Sequence, residues 1–280
     1  MAVPNFLAGT INVDFNYLSH VGITDTITIL NDLNTQLTAL GWTCTVTGAS
    51  PTAVGTYISP TRTDGVSFKV VATQVSATVL KYAVTDQWSG SVTPVANQPQ
   101  QNIVATGGGS EARYYSNKFG FFLETLPSGV AECFGCGVLD ATPEAINVPR
   151  AFYWATSGPR SAANALSQNG ADNMTTLPLG STTYAASYYN YCSYGPTQGL
   201  TLSRSTLGGS LLIVPFDIQG GMAPASYLYG RIFQCIMVDA AQSLGAQITV
   251  PIDTGVTAVF RVLGCATSTY NSFRIAARVS

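Results

Sequence analysis

The sequence predicts a β-dominated α+β protein: a small helix-on-antiparallel-sheet unit at the N-terminal end, followed by a mostly β region that is sandwich-like or irregular. Three observations predict it. Residues 7–15 alternate at period two and short strand candidates recur along the chain, one segment carries a capped apolar face at helical period, and Ser-Pro, Asp-Gly and Pro-Ser-Gly turns separate the strand candidates. There is no exact repeat and no heptad pattern.

The first run, residues 7–15, sets Leu7, Gly9, Ile11, Val13 and Phe15 on one face and Ala8, Thr10, Asn12 and Asp14 on the other, as in a half-buried strand. The helix follows at about 25–40. Thr24 or Asp25 is its N-cap, Ile27, Leu30, Leu33 or Asn34, Leu37 and Leu40 form its apolar face, and Gly41 closes it. One such face calls for a sheet to pack against. Strands are expected at 42–46, 55–58, 66–72 and 78–85, separated by Ser50-Pro51, Ser59-Pro60 and Asp64-Gly65. These make residues 1–95 an α+β unit with the helix on an antiparallel meander.

Residues 96–110 read as a Gly/Pro/Gln connector ending in Gly107-Gly108-Gly109. Residues 111–280 read as a β-rich domain with long polar loops. A hairpin is expected from 118–124 and 130–139 around Leu126-Pro127-Ser128-Gly129, and aromatics give residues 149–156 strand character. Residues 161–187, rich in Ala, Ser, Asn, Thr and Gly, suggest an excursion over the surface or onto a neighbouring chain. Further strands are expected at 200–204, 211–215, 228–238, 246–252, 256–263 and 273–279.

Composition narrows the functional classes. Lys+Arg number 12 and Asp+Glu 14, so 9% of residues are charged, against about 25% in an ordinary soluble domain. The hydrophobic fraction is 46% and the mean hydropathy +0.23, so much of the surface must consist of Ser, Thr, Asn, Gln, Gly and Tyr. Such a surface is adhesive. A net charge of −2 with no basic cluster argues against phosphate-tracking nucleic-acid binding, and high hydrophobicity with low net charge argues against disorder. The apolar run 211–216 is about a third of the roughly 18 residues that a membrane span needs. Met1-Ala-Val-Pro-Asn lacks the charged and apolar regions of a secretory signal.

Candidate chemistries are few. His20 is the chain's one histidine. It reads as a loop residue before the helix, and no Gly-x-Ser-x-Gly elbow accompanies it. Cys133-Phe134-Gly135-Cys136 is a C-x-x-C, but Cys44, Cys192, Cys235 and Cys265 are scattered singly. Zinc or dithiol chemistry would need a second pair or a helix-opening context, so small buried thiols are the favoured reading. Three positions apart on a strand, Cys133 and Cys136 face opposite sides. Glu124 and Glu132 could meet across the hairpin as a hydrolytic pair, or simply be rim charges. Gly107-Gly108-Gly109-Ser110 lacks the Lys-Ser/Thr of a phosphate loop. No catalytic residue, cofactor or metal site is assigned.

The densest aromatic feature is Tyr184, Tyr188, Tyr189, Tyr191 and Tyr194. Tyrosine gives large contact area at low entropic cost, so a subunit interface is favoured, with a ligand-recognition surface and intramolecular packing as alternatives.

Four stretches carry a resemblance: residues 23–44, a capped helix running into Leu-Gly-Trp; 66–90, ending Val-Thr-Asp-Gln-Trp-Ser-Gly; 118–140; and 248–263, with Ile-Thr-Val-Pro-Ile-Asp-Thr-Gly. In these the chain resembles virion structural proteins of tailed bacteriophages, over about a third of its length. The resemblance implies a non-enzymatic ring subunit, hexameric or dodecameric, at the head–tail neck or tail, of terminator, collar or gateway type. Its partners would be copies of itself and other virion proteins, and its location the virion after synthesis in the host cytoplasm. Capsid decoration and a receptor- or glycan-binding role in the tail or baseplate are the alternatives. The charges are also uneven: residues 1–140 hold five Lys+Arg and nine Asp+Glu, a net −4, and 141–280 hold seven and five, a net +2. Head-to-tail contact between subunits suits that polarity.

Overall fold

Asp25 sets the start of the only helix among the described residues. Its backbone is extended and its side chain accepts from the Ile27 amide, so helix α1 runs Thr26–Ala39. Leu40 caps the far end and Gly41 turns the chain away at φ +85°. The structure, a computed structural model, describes residues 14–63, 65, 67, 69–85, 100–104, 110–126, 132–138, 140, 151–156, 174–177, 213–220, 227–239, 242–253, 255–263 and 273–280.

Among the described residues sixteen strands form three sheets. The first is the expected meander: β2 (Thr43–Thr47), β3 (Val54–Ile58), β4 (Lys69–Ser76), β5 (Val79–Thr85) and β6 (Gln100–Val104), each antiparallel to the next. In the central sheet, β1 (Phe15–Ile23) pairs with β7 (Ser110–Asn117), and β8 (Gly120–Leu126), β9 (Glu132–Val138), β10 (Ala151–Thr156) and β11 (Met174–Leu177) follow in order. The third sheet has the order β12 (Ile213–Gly220), β13 (Tyr227–Asp239), β16 (Phe273–Arg278), β15 (Val256–Val262), β14 (Gln247–Asp253). The β-dominated α+β class expected from the sequence is the observed one.

The helix lies between the meander and the central sheet. Ile29, Leu30, Leu33 and Leu37 are wholly buried there with Tyr57, Val70, Leu80 and Tyr82 from the meander and Tyr114, Phe121, Leu123 and Phe134 from the central sheet. Burying each such side chain contributes about 1.5–3 kcal/mol. Two polar ends within this core are satisfied, Tyr57 Oη donating to the Leu30 carbonyl at 2.8 Å and Trp42 Nε1 to the Asn117 carbonyl at 3.1 Å, whereas Tyr82 Oη is buried without a hydrogen-bond partner. Where the sheets meet without the helix, the Tyr82 and Phe134 rings stack at 4.2 Å.

The other face of the central sheet meets the third sheet. The Phe119 and Phe233 rings lie 5.3 Å apart, and the Arg278 guanidinium sits 4.2 Å from the Phe15 ring centroid. A second apolar cluster, including Ile236, Val250, Phe260 and Val262, occupies the opposite face of the third sheet.

Several elements differ from expectation. The strand expected at 7–15 lies, except for Asp14 and Phe15, outside the described residues, and the first described strand is β1, Phe15–Ile23. His20 is therefore a strand residue, not a loop residue: Phe15–Ile23 finds a long partner in β7, from Phe15 opposite Asn117 to Ile23 opposite Ser110. Strand β7 was not anticipated, because Ser-Glu-Ala-Arg-Tyr-Tyr-Ser-Asn carries charges on one face. Within the expected connector 96–110, Gln100–Val104 forms β6. One core draws on Ile23 through Val138, so the helix unit and the following hairpin are packed together. The strand expected at 200–204 lies outside the described residues.

Candidate functional site

Strand alternation places Ser19, Glu111, Arg113, Tyr115 and Glu124 on the face of the central sheet opposite the helix, because Glu111 lies across from Val21, Arg113 across from Ser19 and Glu124 across from Arg113. There they form the densest ionic group among the described residues. Arg113 donates through Nε and Nη2 to the two oxygens of Glu111, at 2.7 and 2.6 Å, and through Nη1 to Glu124 Oε2 at 3.0 Å. Ser19 Oγ donates to Glu111 at 2.6 Å and Tyr115 Oη to Glu124 at 3.1 Å. Glu124 has no exposed surface. Burial works against ionisation of Glu111, but the bonds from Arg113 and Ser19 and the charges of Arg113 and Arg261 hold its carboxyl below the usual range. Burial likewise opposes the charge on Arg113, and the two glutamates more than compensate, pushing it further up. A carboxylic acid serving as general acid at neutral pH must be raised, whereas Glu111 is lowered; the arrangement is a fork joining β1, β7 and β8.

Glu132 is not part of it. Glu124 stands opposite Cys133 and Thr125 opposite Glu132, so the two glutamates occupy register positions on opposite faces of the hairpin. The hydrolytic pair considered from the sequence is not formed.

On the helix side of the same sheet, His20 Nδ1 is 2.7 Å from Asp32 Oδ2, and Tyr114 Oη donates to that oxygen at 2.8 Å. Burial and the Asp32 charge both push the Tyr114 phenol up. The contact ties β1 and β7 to α1. It has the histidine and carboxylate of a hydrolytic triad, but among the described residues no serine or cysteine bonds the other ring nitrogen.

A third network closes the helix N-terminus. Asp25 accepts from Gln74 Nε2 at 2.6 Å and Ser50 Oγ at 2.7 Å, and the Gln74 amide also reaches Thr26 Oγ1 at 2.8 Å. Burial would raise the Asp25 carboxyl, whereas the Ile27 amide, Ser50 and Gln74 lower it, with a net downward shift.

The C-x-x-C does not close on itself. Cys133 is disulfide-bonded and so departs from the buried-thiol reading, while Cys44, Cys136 and Cys235 are free thiols. Cys136 packs into the helix core and Cys133 belongs to the opposite face, as strand spacing requires. Burial pushes the Cys136 and Cys235 thiols well up, which makes them unreactive fillers of the core. Among the described residues no cluster of His, Cys, Asp and Glu is grouped to hold a metal ion, and no helix is long and apolar enough to cross a membrane. Between the central and third sheets, a cavity of about 10 Å³ lined by Phe15, Tyr115, Phe122 and Gln234 has room for one water.

Tyr184, Tyr188, Tyr189, Tyr191 and Tyr194, the surface singled out from the sequence, lie outside the described residues. The Arg113 fork is what sequence reasoning missed. Glu111 and Arg113, two apart, would have shared a face had residues 110–117 been read as a strand. No protein-family model matches the chain, and no curated protein matches it.

Proposed function

We propose that the chain is a non-enzymatic structural subunit of a tailed-phage virion, forming a homo-oligomeric ring at the head–tail neck or in the tail. One observation carries the assembly part of this reading: among the residues with described burial, few charges are exposed. Of the charged residues in that set only Asp14 and Lys118 are exposed; the others, including Asp25, Asp32, Glu111, Arg113 and Glu124, are half-buried or buried. The described exterior is therefore poor in charge, a surface with little to keep copies apart. The phage assignment rests on the sequence resemblance.

Negative-stain microscopy of the purified protein tests the ring directly. The expected images are closed rings of uniform size, and dispersed single subunits overturn the reading. The tyrosine-rich segment favours one alternative, a receptor- or glycan-binding tail component. On that alternative, Tyr188→Ala with Tyr189→Ala abolishes host adsorption while particles still assemble. On the ring reading, with these tyrosines at a subunit interface, the same pair impairs assembly.

A further inference from the structure

We propose that the free edge of β2 is a self-association site, where β2 of one copy pairs antiparallel with β2 of a second copy about a twofold axis. Among the described residues β2 pairs on one side only, with β3, through five consecutive positions and no bulge. Thr43, Thr45 and Thr47 are exposed on one face, and Cys44 and Val46 are half-buried against the helix core on the other. Edge strands are usually guarded by a charge, a proline or a bulge. Strand β12 has Pro215 and two register shifts, β14 has Pro251 and one, and β1 has a shift between Val21 and Ile23. Strand β2 carries none of these devices, and neither do the other two edge strands, β6 and β11.

The occupant follows from symmetry and charge. Thr-Cys-Thr-Val-Thr reads almost the same in both directions. With Thr45 opposite its own copy, Thr43 meets Thr47 and Cys44 meets Val46. The threonines then form a continuous exposed row, and the half-buried pair extends the apolar layer under it. A twofold contact sets the patch against its own image, so a patch of one charge sign repels itself and an uncharged one does not. This strip has no charge, and the exposed Asn31, Thr35 and Thr38 of α1, which packs on β2, add none. The contact goes beyond the ring proposed above: ring closure joins unlike surfaces, whereas this one joins like surfaces and pairs two subunits or two rings.

Cysteine cross-linking in a Cys44→Ser background tests it. Facing residues of an antiparallel pair lie about 4.5 or 5.5 Å apart at Cα, within the range a disulfide spans. Thr45→Cys is expected to give a covalent homodimer on mild oxidation. Thr43→Cys alone should stay uncross-linked, yet cross-link when mixed with Thr47→Cys. Thr45→Lys, checked for folding by circular dichroism, should weaken self-association by about tenfold or more. Wild-type protein that sediments as a monomer, or Thr45→Cys that cross-links no faster than Thr43→Cys, overturns the proposal. Rings seen by microscopy without Thr45→Cys cross-linking remove this contact and leave the ring reading standing. Cross-linked dimers without rings support the contact and remove the ring.

Discussion

Arg113 is the residue whose loss should cost most for its size. It neutralises Glu124, which has no exposed surface, and a carboxylate stranded in the interior costs about 3–5 kcal/mol. Arg113→Met should lower the unfolding free energy by that order in urea denaturation. Glu124→Gln in the same background should recover part of it, since the stranded charge is then gone; no recovery would mean that the fork is not what stabilises this face. Glu111 and Asp25 add a pH signature. Both carboxyls titrate below their ordinary values in the folded protein, so the unfolded chain takes up protons first as the pH falls. Their contribution is fully present above the unfolded values, about 4, and is lost as the pH falls through the folded ones. Glu111→Gln should flatten the loss of stability below about pH 4, which thermal melts across a pH series would show. At this scale the sequence was poorly legible. Glu111, Arg113 and Glu124 are ordinary charges until two strand registers bring them to one point, whereas the opposed faces of Cys133 and Cys136 followed from spacing within one strand.

At the level of elements, the helix was the most legible part because its signals are local. The Asp25 cap, the Leu30, Leu33 and Leu37 face and the Gly41 terminator lie within one stretch and all stand in the structure. Asp25→Ala should cost about 0.5–2 kcal/mol as a lost cap. It should lie at the high end, because Gln74 and Ser50 lose their acceptor as well. Leu33→Ala, at a position of no exposure, should cost about 2–5 kcal/mol. Chemical denaturation of each variant checks both values. The strands were legible where turns bounded them, as in the meander, and missed where pairing with a distant segment decides. Strand β1 is set by β7, roughly ninety residues on in register. Gly135 shows a constraint invisible in sequence: a Cβ there would run into the Phe122 ring across the strand pair. Gly135→Ala should therefore destabilise by about 1–3 kcal/mol.

For the whole molecule, the low charge content takes on a location. The chain carries few charges, and several of those described serve contacts between elements: Asp25 to β4, Asp32 with His20 between α1 and β1, Arg113 between β7 and β8. A described exterior this poor in charge is the physical basis for proposing an assembly subunit, and the central claim is that the protein is built to be covered by copies of itself. Native mass spectrometry of the purified chain tests that claim most directly. The expected result is a single closed oligomer, a hexamer or dodecamer, with little free subunit at micromolar concentration. A dominant species of 29.4 kDa, unchanged on concentration, would contradict it.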